Sequence, residues 1–174
     1  MTVGIYYATT TGKTEDVADR LHSFFSSAES PKDVSDVDDL SELESLDAII
    51  CGIPTWNTGA DEERSGTAWD SILDDIGALS LSGKKVAIFG LGDSSTYTEN
   101  YCDAMEELHS YFVKAGAEMV GYVDKSSYTF DESKSVIGSS FCGLPLDEDS
   151  ESDLTDTRLE TWANQLKSEI PSLD

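Results

Sequence analysis

The run from Val3 to Ala8, VGIYYA, is apolar at consecutive positions and delivers the chain directly into a threonine- and glycine-rich turn, TTTGKT. A strand without alternation has to be covered on both faces, which calls for a largely parallel sheet between two layers of helices. The remaining sequence repeats that unit. A helix is expected from about Gly12 to Ala28, with Val17, Leu21, Phe24, Phe25 and Ala28 on one face, and then a weak edge strand near Lys32 to Val37. Ala48 to Ile53 reads as a third strand stopped by Pro54, followed by a short helix carrying Trp69, Ile72, Leu73 and Ile76. Lys85 to Leu91 is the fourth strand, and Tyr101 to Ala115 is a helix burying Leu108, Phe112 and Ala115. The fifth strand begins near Glu118. It reads as interrupted from about Asp124 to Ser140, with the apolar pattern resuming at Phe141, before a closing amphipathic helix through Leu159, Trp162, Ala163, Leu166 and Ile170.

These elements predict an α/β fold, a three-layer doubly wound five-stranded parallel sheet, as one domain over residues 1–174. The 39% apolar fraction is enough for its core. In such a sheet a ligand sits at the carboxyl ends of the strands where the strand order reverses. The informative loops are therefore Thr9 to Thr14, Pro54 to about Ser65, and Gly92 to Asn100.

In the first loop, Thr9, Thr10, Thr11 and Thr14 surround Gly12 at a strand-to-helix turn. Successive N–H groups and the positive helix end suit a phosphate, and the hydroxyls add donors; the alternative is a plain helix cap. The letters GKT do not make a nucleotide-triphosphatase loop, because the required upstream glycine position is Tyr7, inside the strand. Gly90-Leu91-Gly92 does not complete a dinucleotide fingerprint either, since the third glycine position is Ser95. A terminal monophosphate fits better than a pyrophosphate. Lys13 leans over that group or faces water.

The other two loops each carry an aromatic, Trp56 in PTWNTG and Tyr97 in GDSSTYTEN. Two aromatics on neighbouring loops could sandwich a planar ring; separately, each is also consistent with packing on the domain. Asp93, Asn100 and Asp103 either position polar edges of such a ligand or cap the following helix.

Charge excludes several function classes. With 35 acidic residues against 11 basic, the formal charge is −24, which repels nucleic acid and anionic lipid and asks for macromolecular partners with basic faces. No stretch approaches the roughly 20 apolar residues of a membrane span, and the N-terminus lacks a signal-peptide pattern, so a soluble protein of bacterial cytoplasm or plastid stroma is expected. Cys51, Cys102 and Cys142 lie far apart and outside any C-x-x-C, as buried thiols in a reducing compartment do.

Taken in order, YATTTGKTE, PTWNTG, GLGDSSTYTENYCDA, GYVDKSSYTFDESKS and FCGLPLDEDSESDLTDTRLETWANQL resemble the flavodoxin family, long-chain type, over essentially the whole chain. The resemblance implies a strand order of 2-1-3-4-5 and bound FMN. Thr9, Thr10, Thr11, Gly12, Lys13 and Thr14 would then hold its phosphate, while Trp56 and Tyr97 would stack on the isoalloxazine ring, Tyr97 the closer to coplanar. Backbone groups of Asn57, Thr58 and Gly59 and of Leu91, Gly92 and Asp93 would meet the polar edge of the ring, and Asp149 would lie near the ribityl chain. Pro54, Thr55, Asn100, Tyr101 and Asp103 complete the expected set. The interruption of the fifth strand matches the loop of long-chain members, whereas ADEERSG, Ala60 to Gly66, is longer than the family pattern.

The implied function is low-potential one-electron transfer in place of ferredoxin, between a donor such as photosystem I and an acceptor such as ferredoxin–NADP reductase, by a monomer without catalytic residues or metal. A backbone carbonyl near Asn57 to Gly59 would accept the hydrogen gained at flavin N5 and stabilise the neutral semiquinone; nearby negative charge would oppose the anionic hydroquinone. Asp61, Glu62, Glu63, Asp147, Glu148 and Asp149 are the candidate steering surface. The rivals are a small FMN-dependent NAD(P)H:quinone reductase and a flavin-free phosphoacceptor domain. The latter would want carboxylates where this chain has threonines after its first strand, and His22 and His109 both fall in helix patterns rather than ligand loops.

Overall fold

The computed structural model describes residues 2–174. Its central parallel sheet contains β1 (Val3–Tyr7), the edge strand β2 (Lys32–Asp33), β3 (Ala48–Pro54), β4 (Lys85–Leu91) and β5 (Glu118–Val120), in the order β2-β1-β3-β4-β5. The helices are α1 (Lys13–His22), α2 (Trp69–Gly77), α3 (Ala104–Lys114) and α4 (Thr155–Glu169).

The consecutive apolar residues are explained by two cores, one on each face of the sheet. Val3, Ile5 and Tyr7 of β1 pack with Val17, Leu21, Leu159, Trp162 and Leu166 of α1 and α4. Their neighbours Tyr6 and Ala8 join Ile49, Cys51, Ile53, Val86 and Ile88 against α2 and α3. Each inner strand thus feeds both layers, one with every other side chain. All three cysteines are buried and free.

The fifth strand position is filled by two segments. Lys85, Val86 and Ala87 of β4 pair with β5, while Phe89, Gly90 and Leu91 pair with β9 (Leu144–Leu146). Between them the chain forms a small antiparallel sheet of β6 (Val123–Asp124), β7 (Val136–Ile137) and β8 (Ser140–Phe141). The expected resumption at Phe141 is corrected: Phe141 belongs to this small sheet, and the main sheet resumes at Leu144. Tyr128, Phe130 and Val136 turn back onto the core, with Tyr101 in ring contact with Tyr128, Phe130 and Phe141. Gly143 makes the return possible, because a Cβ there would stand 2.1 Å from the Ile88 carbonyl oxygen.

Three further expectations are corrected. The first helix stops at His22 rather than near Ala28: the Phe24 and Phe25 N–H groups donate to the Leu21 and His22 carbonyls, and the chain turns so that Glu29 N–H reaches Val3 O at 2.9 Å. The third helix starts at Ala104, since Tyr101 to Asp103 form turns in which Cys102 takes a positive φ of 52°. Lys32 to Val37 is an edge strand only at Lys32–Asp33 and then becomes a 3-10 turn capped by the Asp33 side chain.

Candidate functional site

Register places the carboxyl ends of the inner strands at one edge: Tyr7 lies opposite Gly52, Pro54 opposite Leu91, and Leu91 opposite Leu146. Four loops emerge there, after β1, β3, β4 and β9. They surround a cavity of about 280 Å³ lined by Thr11, Lys13, Thr14, Pro54, Thr55, Trp56, Leu91, Gly92, Asp93, Thr96, Tyr97, Glu148 and Asp149. A larger cavity, about 700 Å³, lies beside the small antiparallel sheet, but it is a groove of mixed polarity lined by neither Trp56, Tyr97 nor the threonine turn.

The turn after β1 is built around Gly12, whose φ of +88° is left-handed and thus free of strain only for glycine. Its N–H donates to Thr9 Oγ1 at 2.8 Å, and its carbonyl receives Asp16 N–H to start α1. Among the described residues, the N–H groups of Thr10, Thr11, Lys13, Thr14 and Glu15 have no protein acceptor. A crown of unpaired donors at a helix start fits a phosphate.

The loops after β3 and β4 hold the aromatics. Trp56 and Tyr97 are each 48% exposed, a large apolar area for a monomer to leave wet, and both line the same cavity. Thr55 extends the strand pairing through its N–H to Leu91 O at 3.1 Å, while its hydroxyl oxygen accepts from Ala104 N at the start of α3. Ala60 N–H donates to Asn57 O at 3.2 Å, closing a turn in which Gly59 has φ +82°. Among the described residues the Thr58 carbonyl receives no hydrogen bond. Gly92 allows close approach, since a Cβ there would lie 2.9 Å from Cys102 N.

The loop after β9 ties the rim together. Asp147 is fully buried and accepts from Ser94 N, Ser94 Oγ, Asp149 N and Ser150 N. Asp93 accepts from Ser95 N, Thr96 N and Ser150 Oγ. Partial burial alone would raise the Asp93 pKa, but these donors outweigh it and hold the carboxyl at about 2. A pKa depressed on folding stabilises the fold above the ordinary carboxylate value, and that contribution is lost as pH falls through about 2. Asp93→Asn is therefore expected to lower the urea midpoint at neutral pH, with the gap to the parent closing between about pH 4 and pH 2. A gap unchanged at pH 2 would contradict this.

Several expected residues lie elsewhere. Tyr101 is buried in the core with its hydroxyl unpartnered; Asp103 is buried and accepts from Lys134 N, and Asn100 donates to Asp103. Asn100 and Asp103 line the larger groove, organising the strand insertion rather than the cavity between the aromatics. The steering set is also corrected. Asp147 is buried, and Glu148 is held by Arg20, which also pairs with Asp16 and Asp156. Asp149 pairs with Lys13 across the cavity mouth. Asp61, Glu62 and Glu63 stay exposed. Thr96 and Glu148 line the cavity without having been expected there, although each adjoins a residue that was.

A sequence profile described as Flavodoxin matches residues 5–162. The chain is 41% identical over 170 residues to a flavodoxin of Synechococcus elongatus, covering 97% of each chain, and 38% identical over 169 residues to a flavodoxin of a Nostoc species, covering 97% of this chain and 96% of the relative. The crystal structure of Fusobacterium nucleatum flavodoxin bound to flavin mononucleotide superposes with a TM-score of 0.86 at 28% identity, covering 97% of this chain and 98% of that one. With its sheet order, its split fifth strand and these matches along nearly its whole length, the chain belongs to the flavodoxin family.

Proposed function

We propose that the chain acts as a single FMN-binding domain and serves as a low-potential one-electron carrier. The observation that carries this reading is the pairing of two half-exposed aromatics, Trp56 and Tyr97, with a crown of unpaired N–H groups at Gly12, around one cavity. The support from relatives is that the similar Fusobacterium nucleatum flavodoxin binds flavin mononucleotide. When bound, FMN would supply the redox chemistry, taking up and releasing electrons at its ring system.

The chain's own groups would do the rest. Backbone N–H groups and hydroxyls from Thr9 to Thr14 would bind the phosphate, and Trp56 and Tyr97 would orient the ring and exclude water from its faces. Leu91, Gly92 and Asp93 would meet the polar edge through their backbone, and Asp149 the ribityl chain. The Asn57–Gly59 turn would offer the free Thr58 carbonyl to a proton on the ring, and glycine at position 59 lowers the cost of turning that peptide. The cavity walls carry Asp93, Glu148 and Asp149 against Lys13, so added negative charge on the ligand is resisted.

As partners we propose photosystem I or another low-potential donor and a ferredoxin–NADP reductase, each presenting a basic face to a chain of charge −24. Encounters of this kind are small and transient. The expected second-order rate with purified reductase falls steeply as salt is raised, because screening shortens the field to about 8 Å at physiological ionic strength. Replacing Asp61 and Glu62 together by Asn and Gln lowers the low-salt rate and flattens the salt slope. A rate indifferent to both changes would refute electrostatic docking at this rim. Rapid two-electron turnover with NAD(P)H and a quinone would instead favour the reductase reading.

A further inference from the structure

We propose that the segment from Asp61 to Gly66 is a clamp that fixes the backbone of Trp56 and Asn57, and that Glu107 on α3 is its positioning residue; this rests on the FMN reading of the cavity. The backbone amides of Glu63, Arg64, Ser65 and Gly66 all donate outward from the segment, toward α2 and α3. Glu107 is only 7% exposed, and its two oxygens accept from Glu63 N at 2.9 Å and Arg64 N at 3.0 Å. Asp70, in the first turn of α2, accepts from Ser65 N at 3.3 Å, Ser65 Oγ at 2.6 Å and Gly66 N at 2.8 Å. Four successive amides therefore end on two carboxylates from two different helices.

The carbonyls of the same residues face the opposite way. Arg64 O accepts from Asn57 N at 3.0 Å and Ser65 O from Trp56 N at 3.2 Å, while Glu63 O accepts from Asn57 Nδ2 at 2.6 Å. Gly66, at φ +66°, packs so closely that a Cβ would lie 2.9 Å from Trp56 Cβ. Arg64 adds a bond to Glu106 at 2.6 Å and one to Asp103 O at 3.2 Å. Glu63 is held at φ 54°, a left-handed conformation unfavourable for a non-glycine residue, as expected where surrounding contacts over-determine the backbone. A surface loop serving only as a connection needs none of this. Here Glu107 is linked through the Glu63–Arg64 peptide to the Asn57 side chain, and Asp70 through the next two peptides to the Asn57 and Trp56 amides, so the two carboxylates hold one continuous strip of backbone against the cavity-wall aromatic.

Removing the Glu107 carboxylate leaves two half-buried N–H groups without an acceptor, so the clamp opens more often. When the binding-competent arrangement of Trp56 is populated only part of the time, apparent affinity for a ligand falls in proportion. Glu107 is not one of the residues lining the cavity and would act on Trp56 and Asn57 through the clamp.

The test begins with amide hydrogen exchange on the unmodified, FMN-free chain. Trp56, Asn57, Glu63 and Arg64 N–H are expected to exchange slowly and as one unit; fast, uncorrelated exchange overturns the clamp whatever happens to the variants. In Glu107→Ala, protection of Trp56 and Asn57 falls at least about tenfold, FMN dissociates about tenfold faster, and the midpoint potentials of the bound flavin shift. Glu107→Gln keeps one acceptor oxygen and restores part of all three. A folded Glu107→Ala chain with parental Trp56 and Asn57 protection, FMN dissociation rate and potentials overturns the proposal. Failure of the unmodified chain to bind FMN would count against the proposed function, while exchange at Trp56 and Asn57 would still decide the clamp.

Discussion

Tyr97→Ala is expected to weaken FMN binding by roughly thirtyfold and to raise the potential at which the flavin takes its second electron. Removing an aromatic wall from a stacked ring costs about 1–3 kcal/mol in comparable base-stacking sites, and 2 kcal/mol corresponds to that factor. The sign of the potential change follows from solvation. Tyr97 and Trp56 wall the cavity, and Asp93, Glu148 and Asp149 line it, with Lys13 paired to Asp149 and Arg20 to Glu148. An added negative charge there is poorly solvated and repelled; opening one wall lets water reach it and relieves both effects. Potentiometry giving a lower second potential in Tyr97→Ala would show that solvation and charge do not control the second step. The tyrosine is half exposed, and its two backbone hydrogen bonds, from its own N–H to Asp93 O and from Asn100 N–H to its carbonyl, are kept by alanine, so the substitution is not expected to unfold the chain.

The second large effect is expected at the phosphate turn. Gly12→Val should raise the FMN dissociation constant by about a hundredfold or more, whereas Lys13→Ala should change it less than about fivefold. Gly12 holds φ +88°, and a β-branched residue there costs at least about 1–2 kcal/mol or moves the backbone, with loss of the aligned N–H groups, each worth about 1.5–3 kcal/mol against a charged ligand. A Cβ at Gly12 meets nothing within 4 Å, so the valine disturbs the turn without colliding with the core. The Lys13 ammonium is an exposed group in an ion pair with Asp149, where such pairs contribute about 0–1 kcal/mol. Equal losses for the two variants in calorimetric titrations would move phosphate recognition from backbone to side chain.

The parts of the fold that sequence could disclose are those set by local periodicity. Residues 48–54 and 85–91 are strands buried on both sides, so their apolar runs are continuous and their ends are sharp; α2 begins at Trp69 where its apolar spacing begins. The overextended first helix shows the opposite case. Phe24 and Phe25 continue an apolar pattern, but Phe25 enters the core from a turn that brings Glu29 back to Val3, a contact far along the chain. The two-residue strands of the small sheet are too short to show any period. Within the candidate site, the loop aromatics and the threonine turn stood out because their chemistry is unusual for loops. The roles of Asp147, Glu107 and Asp70 did not, since each is an acidic side chain in an acidic sequence, and only folding turns it onto loop amides. Tyr101 and Asp103 show the limit of carrying positions over by likeness: both lie beside the expected loop, yet the strand insertion takes them into its own packing.

Uptake of FMN by this cavity is the property on which every role assigned to its walls depends. The most direct measurement is titration of the flavin-free chain with FMN, FAD and ATP, following quenching of flavin and tryptophan fluorescence together with the visible spectrum. The account predicts saturation at one FMN per chain, tight and non-covalent, with quenching diminished in Trp56→Phe and Tyr97→Ala, and no binding of ATP. Stoichiometric uptake of FAD or ATP with none of FMN, or FMN binding that ignores both aromatic substitutions, would contradict it.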